Sequence, residues 1–95
     1  MLHGFRIVQR RYVTGRHTNR AEIDIIARRK NLIVFIEVKH RKSALGAWGA
    51  ISGTQIRRLR AAAETYLIEH KWMGDARFDV IIIYGRHIKW IKNAF

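Results

Sequence analysis

Apolar and polar positions divide the first half of the chain into three predicted strands. Residues 5–13 (FRIVQRRYV) are rich in side chains that favour β-structure and predict a first strand. Residues 21–29 (AEIDIIARR) alternate polar and apolar side chains, and residues 32–40 (LIVFIEVKH) follow after two turn residues. This spacing predicts a β-hairpin. Residues 43–53 contain three glycines and predict a loop.

The second half of the chain changes period and predicts a helix followed by two strands. Apolar residues recur at helical spacing over 54–70, at Ile56, Leu59, Ala63, Tyr66 and Leu67. Residues 77–84 (RFDVIIIY) predict a buried strand, and 88–92 a short last one. The order β-β-β-α-β-β predicts an α/β fold, a mixed sheet with one main helix packed on it. The absence of repeats and linkers predicts that residues 1–95 form a single domain.

The charge of the chain changes this picture from a plain α/β domain to one with an anionic partner. Lys and Arg number 19 against 7 Asp and Glu, for a net charge of +12. Nucleic acid is the commonest partner of a small basic domain, and DNA is favoured over RNA. Arg41, Lys42, Arg57 and Arg58 are the predicted phosphate contacts. For the helical arginines, Arg57 and Arg58 together with Arg60, the alternative interpretation is a solvated charged face.

Several classes of protein are excluded or disfavoured by composition. The longest apolar runs fall far short of the roughly 20 residues of a membrane helix, so no membrane association is expected. No signal-peptide core precedes the first strand, and a cytoplasmic location is expected. Cysteine is absent, and the five histidines lack metal-ligand spacing, so zinc is not expected. Whether the chain forms a homodimer stays open.

Charged residues inside the predicted hairpin are the candidate chemistry. Glu37 and Lys39 interrupt a buried strand, and burying such charges is costly unless something compensates them. A turn centred between Lys30 and Asn31 places Asp24 opposite Glu37. The same register places Glu22 opposite Lys39. Opposed carboxylates repel each other. Lys39 partly offsets them, and Mg²⁺ or Mn²⁺ would offset them better, since hard cations prefer oxygen ligands.

Residues 22–27 (EIDIIA) and 34–39 (VFIEVK) resemble the signature of the YraN-like family of uncharacterised bacterial proteins. That family is assigned to the restriction-endonuclease-like, PD-(D/E)XK nuclease superfamily, which includes Holliday-junction resolvases. The resemblance runs from Gly4 to Phe95 and includes QIRRLRAAAETYL, RFDVIII and WIKNAF. Family members usually carry a helix before the equivalent of Gly4, where this chain begins, and in related resolvases that helix bears an acidic residue of the active site.

The resemblance implies a role for each residue of the candidate site. Asp24 and Glu37 correspond to the two metal-binding carboxylates, and Lys39 to the catalytic lysine. Gln55 falls where many of these nucleases carry an additional Gln or Lys, and YraN-like proteins usually have Lys there. On physical grounds, the Val38 carbonyl and waters could complete an octahedral Mg²⁺ site, with Glu22 acting through an outer-shell water.

Two functions from different classes follow. The first is a Mg²⁺-dependent endonuclease acting on branched or single-stranded DNA. The second is a non-catalytic DNA- or RNA-binding protein on a nuclease-like fold, in which Glu37 and Lys39 form a structural ion pair. The clustered acids favour the first, because a domain that only contacts phosphates gains nothing from them. A small RNA-binding accessory protein is the weaker third alternative.

Overall fold

The computed structural model describes residues 4–15, 17, 20–42 and 51–95. Five strands and one helix occur there, in the predicted order β-β-β-α-β-β. They are β1 (Arg6–Thr14), β2 (Ala21–Arg29), β3 (Leu32–Arg41), α1 (Gly53–Glu69), β4 (Asp75–Tyr84) and β5 (His87–Ile91). The predicted α/β fold, with one helix against a mixed sheet, is confirmed. Most of the glycine-rich loop predicted over 43–53 lies outside the described residues.

The five strands form one sheet in the spatial order β1-β2-β3-β4-β5. Neighbouring strands are antiparallel except β3 and β4, which are parallel. Parallel neighbours need a long crossover connection, and α1 supplies it. Strand β3 is the central strand of the sheet, and it pairs with β4 over all ten residues from Leu32↔Asp75 to Arg41↔Tyr84.

The predicted register of the β2–β3 hairpin is confirmed from the turn as far as Ile25↔Ile36, whereas the predicted pairs Asp24–Glu37 and Glu22–Lys39 lie beyond the last pair of this ladder. Its pairs run from Arg29↔Leu32 to Ile25↔Ile36, so Lys30 and Asn31 form a two-residue turn. Lys30 adopts a φ of 54°, the left-handed conformation that short hairpin turns require. Extended by one residue, this register brings Asp24 to the level of Glu37.

The helix packs on one face of the sheet and fixes its position by apolar contacts. Its buried residues are Leu59, Ala62, Ala63 and Tyr66. They share a core with apolar residues from the sheet, among them Tyr12, Ile23, Ile26, Phe35 and Phe78. None of the helices in the described part of the chain has the length and apolarity needed to traverse a bilayer.

The opposite face of the sheet holds a second apolar cluster and a buried carboxylate. The cluster contains Phe5, Ala27, Val34, Ile36 and Ile81. Beside it, Asp79 is fully buried and accepts hydrogen bonds from Arg77 (2.9 and 3.1 Å), the Trp90 ring nitrogen (2.7 Å) and the Asn93 amide (2.9 Å). These donors satisfy the buried carboxylate. The pairing of Asp79 with Arg77 makes it a structural group.

Candidate active site

The regular alternation of β2 breaks where the candidate site begins. Ile23 and Ile26 both pack in the helix-side core, whereas Ile25, between them, packs in the cluster on the other face. Strict alternation would place Ile23 and Ile25 on the same face. The β2–β3 pairing also ends at Ile25↔Ile36. Beyond that pair, the Asp24 carboxylate accepts a hydrogen bond of 2.8 Å from the Val38 amide, so its side chain bonds to β3.

On β3, Glu37 lies next to Asp24 of β2. It is almost completely buried, with 5% of its side chain exposed. Its Oε2 accepts a hydrogen bond of 3.0 Å from the Gln55 side-chain amide and lies 3.5 Å from the Lys39 ammonium. Its Oε1 has no hydrogen-bond partner in the described part of the chain. A hydrogen bond between Glu37 and Asp24 needs a shared proton, so Oε1 is uncompensated when both carboxylates are ionised.

This environment raises the pKa of Glu37 to about 8 from its ordinary 4.5. Desolvation by burial is the largest cause, followed by the hydrogen bond and charge of Asp24, while Lys39 opposes the shift. Near neutral pH the metal-free pair therefore holds a proton that a bound cation would displace, since a cation favours the ionised form.

The carboxylates line a cleft of about 450 Å³. It lies between the start of β2, the second half of β3 and the first turn of α1. Its walls combine acidic, basic and neutral polar groups. The lining residues are Arg20, Ala21, Glu22, Asp24, Glu37, Val38, Lys39, Ser52, Thr54, Gln55, Arg58 and Leu59.

The donor set fits a hard divalent cation through two carboxylates. Within the described ranges, no three His, Cys, Asp or Glu side chains gather as a metal-binding group. Asp24 and the unpartnered Glu37 Oε1 are the anionic donors. The Val38 amide points towards β2, and the carbonyl of a strand residue points to the same side as its amide. Mg²⁺ commonly takes one or two carboxylates and keeps several waters, so this set suits it.

The structure brings together the residues of the predicted site, whereas three of the four basic residues predicted to bind nucleic acid lie outside the cleft lining. Asp24, Glu37, Val38, Lys39 and Gln55 meet in the cleft. Glu22 lines it as well, with its carboxylate 3.9 Å from the Arg20 guanidinium.

Of the four predicted phosphate contacts, only Arg58 lines the cleft. Arg57 is exposed on α1 and donates to the Thr54 hydroxyl at 3.2 Å. Arg41 ends β3 and donates to the His40 carbonyl at 2.7 Å, and Lys42 follows it as an exposed residue. Their predicted contact with nucleic acid stays a prediction.

Sequence reasoning missed the contribution of the helix start. Ser52 is the N-cap of α1, and its hydroxyl accepts from the Gln55 amide at 3.1 Å. Ser52 and Thr54 both line the cleft. A Ser followed three residues later by Gln is a recognised signature of a helix N-terminus. That signature could have moved the predicted helix start from residue 54 to Gly53 and placed it beside Glu37.

A family model described as "Uncharacterised protein family UPF0102" matches residues 1–83 of the chain. The chain is 46% identical over 76 residues to a UPF0102 protein of Shewanella sp. (strain W3-18-1), covering 78% of this chain and 70% of that protein. It is 41% identical over 98 residues to a UPF0102 protein of Mesorhizobium japonicum, covering 100% and 75%. A UPF0102 protein of Shewanella amazonensis is 41% identical over 97 residues, covering 98% and 84%.

Proposed function

Since the chain belongs to the UPF0102 family, which includes the YraN-like proteins, we propose its function from the geometry of the cleft: a metal-dependent phosphodiesterase that cleaves nucleic acid internally. The observation that carries this proposal is the meeting of Asp24 and Glu37 from two strands, with Lys39 3.5 Å from the Glu37 carboxylate. DNA that is branched or single-stranded is the expected substrate.

The energetic cost of the arrangement supports a working site over a structural ion pair. A structural pair needs one acid and one base, whereas here the second acid, Asp24, raises the pKa of the buried Glu37. A buried oxygen without a partner costs roughly 1–3 kcal/mol. Glu37 Oε1 is such an oxygen when Asp24 and Glu37 are both ionised. A site that binds a cation recovers this cost when it is loaded.

Each residue has a role that its contacts support. Asp24 and Glu37 would hold Mg²⁺ or Mn²⁺, and Gln55 fixes the Glu37 carboxylate through its bond to Oε2. When bound, the cation supplies Lewis acidity to the phosphoryl group and lowers the pKa of its water. Lys39, with 18% of its side chain exposed in the cleft, can neutralise charge that develops on the phosphoryl oxygens.

The rival proposal is a nucleic-acid-binding protein without catalysis. The small number of adjacent acids favours it. Within the described cleft only two carboxylates, Asp24 and Glu37, lie next to each other. Both proposals use the charge of +12. They differ in whether the divalent cation matters.

A cleavage assay separates the two proposals. Duplex, junction and single-stranded DNA and RNA are incubated with the protein in Mg²⁺, Mn²⁺ or EDTA. The enzyme proposal predicts internal cleavage that EDTA abolishes and that Lys39→Ala lowers by at least about 100-fold. Lys92→Ala is the matched control, because Lys92 is exposed, lies outside the cleft lining and is not one of the predicted phosphate contacts. Binding with no cleavage of any substrate supports the rival proposal.

A further inference from the structure

The wall of the cleft that faces the carboxylates consists of hydrogen-bond donors and positive charge. The N-terminus of α1 lies on this wall, through Ser52 and Thr54, and Arg58 lies one turn further along the helix. The hydrogen bond from Gln55 to Glu37 ties this first turn directly to the acidic wall. One cleft therefore combines a place for a cation with a place for an anion.

The first turn of α1 offers backbone donors that the protein leaves open. The first amides of a helix have no intrahelical partner. The Ser52 hydroxyl satisfies the amide of Gln55, but the amides of Gly53 and Thr54 have no acceptor among residues 4–15, 17, 20–42 and 51–95. None of the residues of the first turn is itself acidic, and a helix N-terminus favours an anionic ligand.

Two adjacent arginines of α1 differ in what they contact. Arg57 folds back along its own helix and donates to the Thr54 hydroxyl, outside the cleft lining. Arg58 lines the cleft and has no ion-pair or hydrogen-bond partner in the part of the chain that the structure describes. Its guanidinium can therefore make two parallel hydrogen bonds to a phosphate.

A second observation indicates that this cleft takes a ligand. Glu37 lines the same cleft as Arg58 and Thr54. Its side chain is 5% exposed, and its buried Oε1 has no hydrogen-bond partner in the described part of the chain. An isolated anion would not compensate that oxygen, and an isolated cation would leave the donor wall unused. A polyanion with its bound cation would contact both walls, the anion at the hydrogen-bond donors and the cation at the carboxylates.

We infer that Arg58 and the Gly53 and Thr54 amides form a subsite for a backbone phosphate, next to the phosphate that a cation at Asp24 and Glu37 would bind. The inference rests on the proposed function. The ligand is a phosphodiester chain with at least two phosphates, recognised through its backbone and not through its bases.

The test is a binding titration that needs neither divalent cation nor turnover. The ¹⁵N-labelled chain is titrated in EDTA with inorganic phosphate, with an abasic deoxyribose-phosphate tetramer and with the matching thymidine tetramer. We expect both tetramers to shift the Gly53 and Thr54 amide signals and to bind within about threefold of each other. We expect inorganic phosphate to bind at least about tenfold more weakly than either tetramer, since it makes fewer contacts.

Two variants make the test specific to the subsite. Arg58→Gln should weaken binding of the abasic tetramer about tenfold, because a charged hydrogen bond is lost. Arg60→Gln is the matched control, with the same charge change two residues away at an exposed position outside the cleft lining, and should weaken binding less than about threefold. Both side chains are exposed, so neither substitution disturbs the core.

Four results would overturn the inference: unmoved Gly53 and Thr54 signals, equal losses for the two variants, binding of the thymidine tetramer alone, or inorganic phosphate binding as tightly as the tetramers. A chain that fails to cleave DNA can still pass this titration. Conversely, Mg²⁺-dependent cleavage together with unmoved Gly53 and Thr54 amide signals would disprove the subsite and support the proposed function.

Discussion

At the scale of single residues, Glu37 determines the character of the cleft. Its carboxylate is buried beside Asp24, and Gln55 and Lys39 share one of its oxygens. The contacts hold it in place without fully compensating its charge. This incompletely compensated charge makes the stability of the metal-free protein depend on pH, since the proton on Glu37 is bound more tightly in the folded chain than in the unfolded one.

The first prediction is that metal-free stability falls as pH rises. The pKa of Glu37 is about 8 in the folded chain and 4.5 without the fold. Between these values the folded state binds more protons than the unfolded state, so this residue lowers the free energy of unfolding as pH increases. Urea denaturation in EDTA, at four pH values from about 5 to about 8, measures how the free energy of unfolding changes with pH.

The control for this prediction is Asp24→Asn, which removes the neighbouring charge and should flatten the slope between those pH values. Burial alone then raises the pKa of Glu37. The interpretation is contradicted if the parent and Asp24→Asn lose stability with identical slopes in EDTA.

The sequence predicts part of this residue-level geometry. A two-residue turn at Lys30 and Asn31 fixes the register, and counting outward places Asp24 level with Glu37. The break in alternation between Ile23 and Ile25 could not be predicted, because either face of the sheet accepts an isoleucine. The contact of Gln55 with Glu37 was not predictable either, since it depends on how α1 docks on the sheet.

At the scale of elements, local patterns locate the strands and the helix but not all their partners. The hairpin is local, and its pairing follows from the turn. The parallel pairing of β3 with β4 joins segments on either side of α1, and it depends on packing between elements that are remote in sequence. Strand β4 begins against the β2–β3 turn, where the Asp75 amide donates to the Asn31 carbonyl at 2.8 Å.

The second prediction concerns the residue that permits this junction. A Cβ on Gly74 would lie 2.4 Å from Asn31 Oδ1, 2.5 Å from the Asn31 carbonyl oxygen and 2.7 Å from the Trp72 ring. Gly74→Ala should therefore lower the free energy of unfolding by about 1–3 kcal/mol, the cost of an overpacked site. Denaturant unfolding measures it.

Gly53→Ala is the matched control for Gly74→Ala. Among the described residues, a Cβ on Gly53 would meet the Arg57 guanidinium, at 3.7 Å, and no other side chain. Ala is also more favourable than Gly in a helix. The control should be neutral or stabilising by a few tenths of a kcal/mol. Equal effects of the two substitutions would show that β4 does not depend on this close approach.

At the scale of the whole molecule, a charge of +12 on 95 residues favours binding to a polyanion. The third prediction is that affinity for nucleic acid falls steeply with salt and depends weakly on sequence, because phosphate contacts release counterions. Fluorescence anisotropy with two unrelated sequences at about 50 and 200 mM salt measures both properties. Undetectable binding at about 50 mM salt would contradict the assignment of nucleic acid as the partner.

Whether the Asp24 and Glu37 carboxylates bind a divalent cation is tested most directly by thermal melting of the parent and Asp24→Asn at about pH 8, with EDTA, Mg²⁺ or Mn²⁺. An ion at tenfold its Kd stabilises the folded chain by about 1.4 kcal/mol. For a domain of this size, that corresponds to a rise in Tm of several degrees, about 5–10 °C. The account predicts this rise in the parent and its absence in Asp24→Asn. An unchanged parent Tm at millimolar Mg²⁺ and Mn²⁺, or an equal rise in both proteins, would contradict it.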